Sequence, residues 1–404
     1  MGILRPAPEV DHPTYEIVGP VERYDMRNKG ASRMYRQPGT PEYEEFYANH
    51  PEFSKEYDAE LLRLKAQARA HNFKTNPVNE QFVPALFVTM GLFGSMDTVT
   101  GTYKRMTHTT GRPKNLPNSD KKLNIDPVEM SRKVKEFGKY IGAVKVRITK
   151  LNQDWVYSHY SGRIDPELEG KPVEDMDYEN VICIAVQHDL EMKKIGRGFA
   201  AEAEDGVRYS QAAWMSTVIA EFCRSLGFRS RAIPCSNAPY LVVPTFVDAG
   251  MGEQGRHAFV VSKDIGCHWR PAAVATDLPL AIDKPVDFGL QDFCDKCKLC
   301  AEHCPAGAVS YGGREDIRGV RRWNADIEKC KKYDESQGHC CGICQAVCPW
   351  NHPTGGLFHD GIRELIQRVP SLNKAIIAGD KFFYPYKRLK PPDWMSTPGY
   401  FEEK

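Results

Sequence analysis

The 404-residue chain lacks several features that would assign it a class at once. No apolar run approaches the ~20 residues of a membrane span. No charged-then-apolar signal stands at the N-terminus. The pair Arg321-Arg322 is internal, so a twin-arginine signal is absent from this chain. Neither charge dominates: 54 Lys and Arg face 53 Asp and Glu, for a net charge of +1. The electrostatic footprint of a nucleic-acid binder is therefore missing, and no nucleic-acid partner is expected. No G-x-G-x-x-G follows a strand-like run and there is no P-loop, so nothing marks a nucleotide site. A flavin leaves no dependable short motif and is not excluded on that ground.

What the chain does have is cysteine, 13 in all, in an otherwise ordinary globular composition with 41% hydrophobic and 26% charged residues. Cys294, Cys297, Cys300 and Cys304 stand at C-x2-C-x2-C-x3-C, followed by Pro305. This is the bacterial ferredoxin spacing. Three thiolates on one tight loop reach different irons of one cubane, and the fourth leaves past a Pro turn for a second. A partner run closes the stretch as Cys341-x2-Cys344-x3-Cys348-Pro349. Cys330, separated from Cys341 by an insertion of ten residues, supplies its first member. The adjacent Cys340 competes for that place, but neighbouring cysteines rarely both reach one cubane, and Cys330 completes the ferredoxin order. By the usual crossover, Cys294, Cys297, Cys300 and Cys348 hold one [4Fe–4S] cluster. Cys330, Cys341, Cys344 and Cys304 hold the other. A zinc site wants four ligands, not eight in two Cys-Pro-terminated runs. A disulfide framework belongs to short secreted chains. Of the scattered Cys183, Cys223, Cys235, Cys267 and Cys340, four read as free buried thiols.

Before this stretch the pattern is that of an α/β core. Glu56 to Ala70 is a charged helix candidate. Phe82 to Thr102 is apolar and Gly-rich, suited to line or cover a pocket. Asp126-Pro127 is a helix N-cap followed by Pro at the first helical position. Val144, Val146 and Ile148 alternate as in a strand, and 181–187 is a continuous apolar run fit for a buried one. Ser210 is expected to cap a helix that Gly227 stops. Further strands are expected near 231–234 and 257–262, and a helix over 361–369. The fold class is thus α/β (α+β), divided into an N-terminal wrapping and pocket-forming region (1–125), a core (126–288), a ferredoxin-like 2[4Fe–4S] domain (289–352) and a wrapping tail (353–404).

The stretches 209–237 (YSQAAWMSTVIAEFCRSLGFRSRAIPCSN), 248–262 (DAGMGEQGRHAFVVS) and 276–289 (TDLPLAIDKPVDFG) run in order into the cysteines. With KLNQDWVYSH at 150–159 they resemble the catalytic subunit of respiratory reductive dehalogenases. The resemblance implies a nitroreductase-like core holding a corrinoid (cobalamin or a related cobamide) base-off. It implies electrons passing through the clusters to give Co(I), which removes halogen from a small organohalide. No cobalt-ligating D-x-H-x-x-G motif is present, in keeping with that state. Carried over residue by residue, the resemblance makes Tyr209 the proton donor, Arg270 its basic neighbour and Asn237 a substrate-orienting group. A free tyrosine, with pKa ~10, is a reluctant acid. A nearby guanidinium favours its phenolate, and so would the start of a helix, where Tyr209 is expected. Ala238-Pro239 after Asn237 departs from the family, which has a small acidic or hydroxyl residue there. Corrinoid contacts are expected from Trp155, Tyr157, Ser236, Arg256 and His257.

The resemblance also implies partners and a location. These are a small integral-membrane anchor, a membrane or quinol-linked electron donor and a homodimer, at the outer (extracytoplasmic) face of the cytoplasmic membrane, with the chain in a processed form. The alternatives are an epoxyqueuosine reductase-like tRNA-modifying enzyme and an electron carrier without its own substrate. The first wants a basic surface and an acidic proton donor. The second has no use for a Tyr–Arg pair.

Overall fold

The computed structural model describes residues 4–34, 36, 38–74, 117, 119–162, 166–196, 198–234, 238–390 and 392. The pocket-lining stretch expected over 82–102 lies outside them, as do Ser236 and Asn237.

The strands are β1 (Glu16–Ile17), β2 (Lys145–Lys150), β3 (Asn180–Gln187), β4 (Ser230–Ile233), β5 (Glu253–Gln254), β6 (Val260–Val261), β7 (Trp269–Thr276), β8 (Glu315–Ile317) and β9 (Val320–Arg322). The centre of the fold is an antiparallel sheet in the order β2-β3-β7-β4. In β3 the side chains alternate between two buried faces. Val181, Cys183 and Ala185 meet one core with Trp155, Tyr157, Tyr240, Phe246 and Trp269. Ile182, Ile184 and Val186 meet another with Met130, Val134, Met215 and Ile219. Coverage on both faces explains why this strand reads as an unbroken apolar run. β7 was not among the expected strands, and it carries Pro271, a residue unsuited to the middle of a sheet. β4 pairs only as far as Ala273, so among the described strands Pro271 has β3 as its neighbour.

The helices are α1 (Gly30–Met34), α2 (Pro41–Asn49), α3 (Lys55–Lys74), α4 (Pro127–Tyr140), α5 (Leu190–Lys194), α6 (Phe199–Ser225), α7 (Val242–Asp248), α8 (Leu290–Cys297), α9 (Leu299–Glu302), α10 (Ile327–Gln337), α11 (Ile343–Ala346), α12 (Leu357–Arg368) and α13 (Asn373–Phe383). In α4 the Asp126 carboxylate accepts from the N–H groups of Val128 and Glu129, as its N-cap position requires. α6 ends at Gly227, whose φ of +91° is the left-handed stop expected of it. A Cβ there would also stand 2.5 Å from the Lys121 carbonyl.

The N-terminal residues clasp the cysteine-rich part. β1 pairs with β9, and α3 packs against α10. Arg33 bridges Asp58 and Glu328, and Arg69 donates to the Gly338 carbonyl. The tail helices α12 and α13 pack on α8, adding Ile366 and Ile377 to the core that holds the cysteines.

Candidate active site and metal centres

The ends of β3 and β7 bring the chemistry together. Arg270 pairs with Val186 at the start of β7, beside the Gln187-His188 end of β3. From there its guanidinium reaches α6. Asp205 and Tyr209 stand four residues apart on one face of that helix. Arg270 Nη1 donates to Tyr209 Oη at 3.1 Å, and Nη2 donates to Asp205 Oδ1 at 2.7 Å. The guanidinium carbon also lies 4.0 Å from the centre of the Tyr209 ring. The expected Tyr209–Arg270 pair is therefore assembled.

The helix position is not as expected. α6 begins at Phe199, so Tyr209 is in its third turn, beyond the reach of the N-terminal dipole. Ser210 caps nothing, and its hydroxyl donates back to the Gly206 carbonyl within the helix. Positive charge reaches the phenol from Arg270.

Sequence reasoning missed the ionic network behind this pair. Lys193 Nζ donates to Asp205 Oδ1 at 3.0 Å, and its side chain is buried. His188 Nδ1 lies 3.7 Å from both Glu204 and Asp205, and Arg208 pairs with Glu204 at 2.5 Å. Burial pushes the Asp205 carboxyl up, but Lys193, Arg270 and His188 outweigh it and hold the group well below the usual carboxylate range. Burial pushes His188 down to about 4 and His268 to about 3, so both imidazoles are neutral near pH 7. Asp205 at four residues before Tyr209 was the readable signal.

The cysteines lie in two neighbouring groups. Cys294, Cys297, Cys300 and Cys348 share the wall of one small cavity with Arg256, His257, Phe293 and Trp350. The indole N–H of Trp350 is buried there without a hydrogen-bond partner among the described residues, as suits a wall built to face cluster sulfur. Cys330 feels Cys341 and Cys304 electrostatically, and Cys344 feels Cys300 as well as Cys341, Cys330 and Cys304. The charges acting on Cys340 are instead those of Glu202, Asp334, Asp205 and Lys331, with no cysteine among them. The insertion before Cys341 is the rest of α10, turned by Gly338 at φ +73°. Burial pushes Cys297 and Cys330 up to about 12, so these thiols need a metal to become thiolates. Both four-thiol sets fit a cubane by donor chemistry and enclosure.

The expected corrinoid contacts divide. Trp155 and Tyr157 line a cavity of about 630 Å³ between the N-terminal segment, the core and β8–β9. Tyr240, Leu241 and Val242 give it apolar walls, and the volume falls within the usual range for ligand sites. The Trp155 indole donates to Asp248, which also accepts from Tyr15. Arg256 is placed elsewhere. Its guanidinium donates to the carbonyls of Cys294, Asp295, Ser310 and Gly312 and stacks on Trp323, clamping the cysteine loop. His257 lies beside Cys348. Tyr209 and Arg270 do not line the 630 Å³ cavity.

Residues 293–351 match the 4Fe-4S double cluster binding domain, which spans all eight cysteines. Over 287 residues the chain is 31% identical to the tetrachloroethene reductive dehalogenase of Sulfurospirillum multivorans, covering 63% of this chain and 56% of the relative. A solved reductive dehalogenase described as B12-dependent superposes with a TM-score of 0.72 at 25% identity, over 95% of this chain and 49% of that one. The epoxyqueuosine reductase of Escherichia coli is more distant, at 25% identity over 56% of this chain and 66% of that protein. The chain thus spans about half the length of the dehalogenases it matches. In sequence and in fold the chain resembles the reductive dehalogenases, and its residues 293–351 match a 4Fe-4S double cluster binding domain.

Proposed function

We propose that this chain carries the catalytic centre of a corrinoid- and iron–sulfur-dependent reductive dehalogenase acting on a small organohalide. The observation that carries the reading is the phenol of Tyr209 held by a half-buried, charge-balanced guanidinium, in a chain that also carries two candidate four-thiol sets. The overall change exchanges carbon–halogen for carbon–hydrogen, taking up two electrons and one proton and releasing halide.

When bound, the corrinoid supplies the reductive chemistry and the two clusters its electrons, which no side chain can do. Trp155 and Tyr157 would hold part of a base-off corrinoid against the apolar cavity wall. Tyr209 Oη gives the proton to the carbon that loses halide. The hydrogen bond from Arg270 favours the phenolate left behind. Asp205 and Lys193 fix the position of Arg270, so the charge is in place before the reaction begins. Asn237 orients the substrate.

No helix among the described residues is long and apolar enough to cross a membrane. In this reading a separate small integral-membrane protein would hold the chain at the outer face of the cytoplasmic membrane. A membrane or quinol-linked donor would feed the clusters, and two copies would pair. The test is anaerobic purification followed by iron and cobalt analysis after corrinoid loading. About eight irons and one cobalt per chain support the reading. Iron without cobalt in folded protein would remove the corrinoid and leave an electron carrier.

A further inference from the structure

Cys267 has no role in the scheme above. It is 1% exposed and lies in the turn between β6 and β7, three residues before Arg270. Its sulfur, the sulfur of Cys348 and a ring nitrogen of His257 all lie within 4.8 Å of one another. The contact is built. The backbone N–H of Cys267 donates to Asn351 Oδ1 at 2.8 Å, and Asn351 Nδ2 donates to Cys267 Sγ at 3.2 Å. Gln345 Nε2 donates to the Cys267 carbonyl at 3.1 Å. The neighbouring Gly266 has φ +65°, and a Cβ there would meet Asn351 Oδ1 at 2.2 Å and the Trp350 carbonyl at 2.6 Å. The turn is thus pressed onto the segment carrying Cys348 as closely as a glycine permits.

Two sulfurs on one tetrahedral metal, with bonds of ~2.3 Å, stand ~3.8 Å apart. Cys267 is not on the wall of the cavity that Cys348 shares with the other three thiols, so it would have to turn toward that wall, closing the gap to Cys348 by about an ångström, to bind the same iron. His257 adds direction. The N–H of Phe259 donates to its Nδ1 at 3.2 Å, which leaves Nε2 as the ring nitrogen that can donate to sulfur.

We propose that Cys267 is a reserve ligand of the first cluster, able to replace Cys348 on its iron. This rests on the assignment of that cluster to Cys294, Cys297, Cys300 and Cys348. In the exchange one iron–sulfur bond breaks and another forms, the Cys267 proton passes to the departing Cys348 thiolate, and no electron is transferred. The Nε2–H of His257 donates to whichever thiolate is bound.

The experiment compares wild type, C267A, C348A, C348S and the double variants C267A/C348A and C267A/C348S. Each is reconstituted anaerobically with iron and sulfide, then read by iron content and electron paramagnetic resonance. Wild type and C267A should hold about eight irons. C348A and C348S should also hold about eight, with an altered resonance from the first cluster. Either double variant should lose at least one iron and show a three-iron signal, or lose the first cluster. A single Cys348 variant indistinguishable from its double would overturn the proposal. So would failure of both Cys348 variants to fold where C267A folds, because a working reserve ligand would have rescued them. Wild type with far fewer than eight irons would instead contradict the cluster assignment itself.

Discussion

At the scale of the residue, the centre is one hydrogen bond: Arg270 to Tyr209 at 3.1 Å. Removing the hydroxyl in Tyr209→Phe should leave folding and metal content unchanged and lower turnover by about 10²–10⁴-fold, read as halide release. Arg270→Gln tests the electrostatic half. Tyr209 must be protonated to act, so activity falls as pH rises through its pKa. Without the cation that pKa moves up. The alkaline limb of kcat/KM should therefore shift to higher pH while turnover at neutral pH drops. A limb that stays in place would mean Arg270 acts only by packing. Both residues were legible from the motifs around them. Asp205 had only its place four residues before Tyr209 as a signal, and Lys193 and His188 had none, because their roles come from the meeting of α6 with the end of β3, which no local pattern records.

At the scale of the element, the misreadings share a cause. α6 was expected to start at Ser210, yet it starts eleven residues earlier after Gly198, which offers no capping side chain. A start without a cap has no local signature, and the hydroxyl that resembled one sits mid-helix. The choice between Cys330 and Cys340 rested on ferredoxin order, and α10 places Cys330 with Cys304 and Cys341. Cys340→Ala should accordingly retain about eight irons, whereas Cys330→Ala should lose part or all of the second cluster. Equal iron loss in both would place Cys340 among the ligands.

Another device lies at the start of α8, where Gly289 provides no cap and Glu253 supplies one from β5. Its carboxyl accepts from the N–H groups of Phe288 at 2.8 Å and Leu290 at 3.3 Å. Burial dominates these contacts and pushes the group up to about 7. A carboxyl raised in the fold loses stability between its unfolded value near 4.5 and its folded value near 7 as pH rises. Glu253→Gln cannot ionise, so its stability relative to wild type should increase across that window, by up to roughly 3 kcal/mol. Denaturant unfolding at pH 5 and pH 8 checks the sign.

At the scale of the whole molecule, the arrangement is a sheet core, a cysteine-rich module and an N-terminal clasp joining them through β1 and α3. The sheet was legible because β3 is buried on both faces, and the module because cubane geometry imposes its spacing. The clasp was not, since it depends on short pairings and scattered arginines such as Arg33 and Arg69. Arg256, expected at the corrinoid, serves this larger architecture by tying the core to the cysteine loop.

The most direct test is halide release by the anaerobic, corrinoid-loaded protein under a low-potential donor, across haloalkenes, haloalkanes and halogenated aromatics. Chloride or bromide released from at least one class, and nearly abolished by Tyr209→Phe, is the predicted result. Full iron and cobalt content with no halide released from any of them would contradict it and move the chain toward the tRNA-modifying relatives.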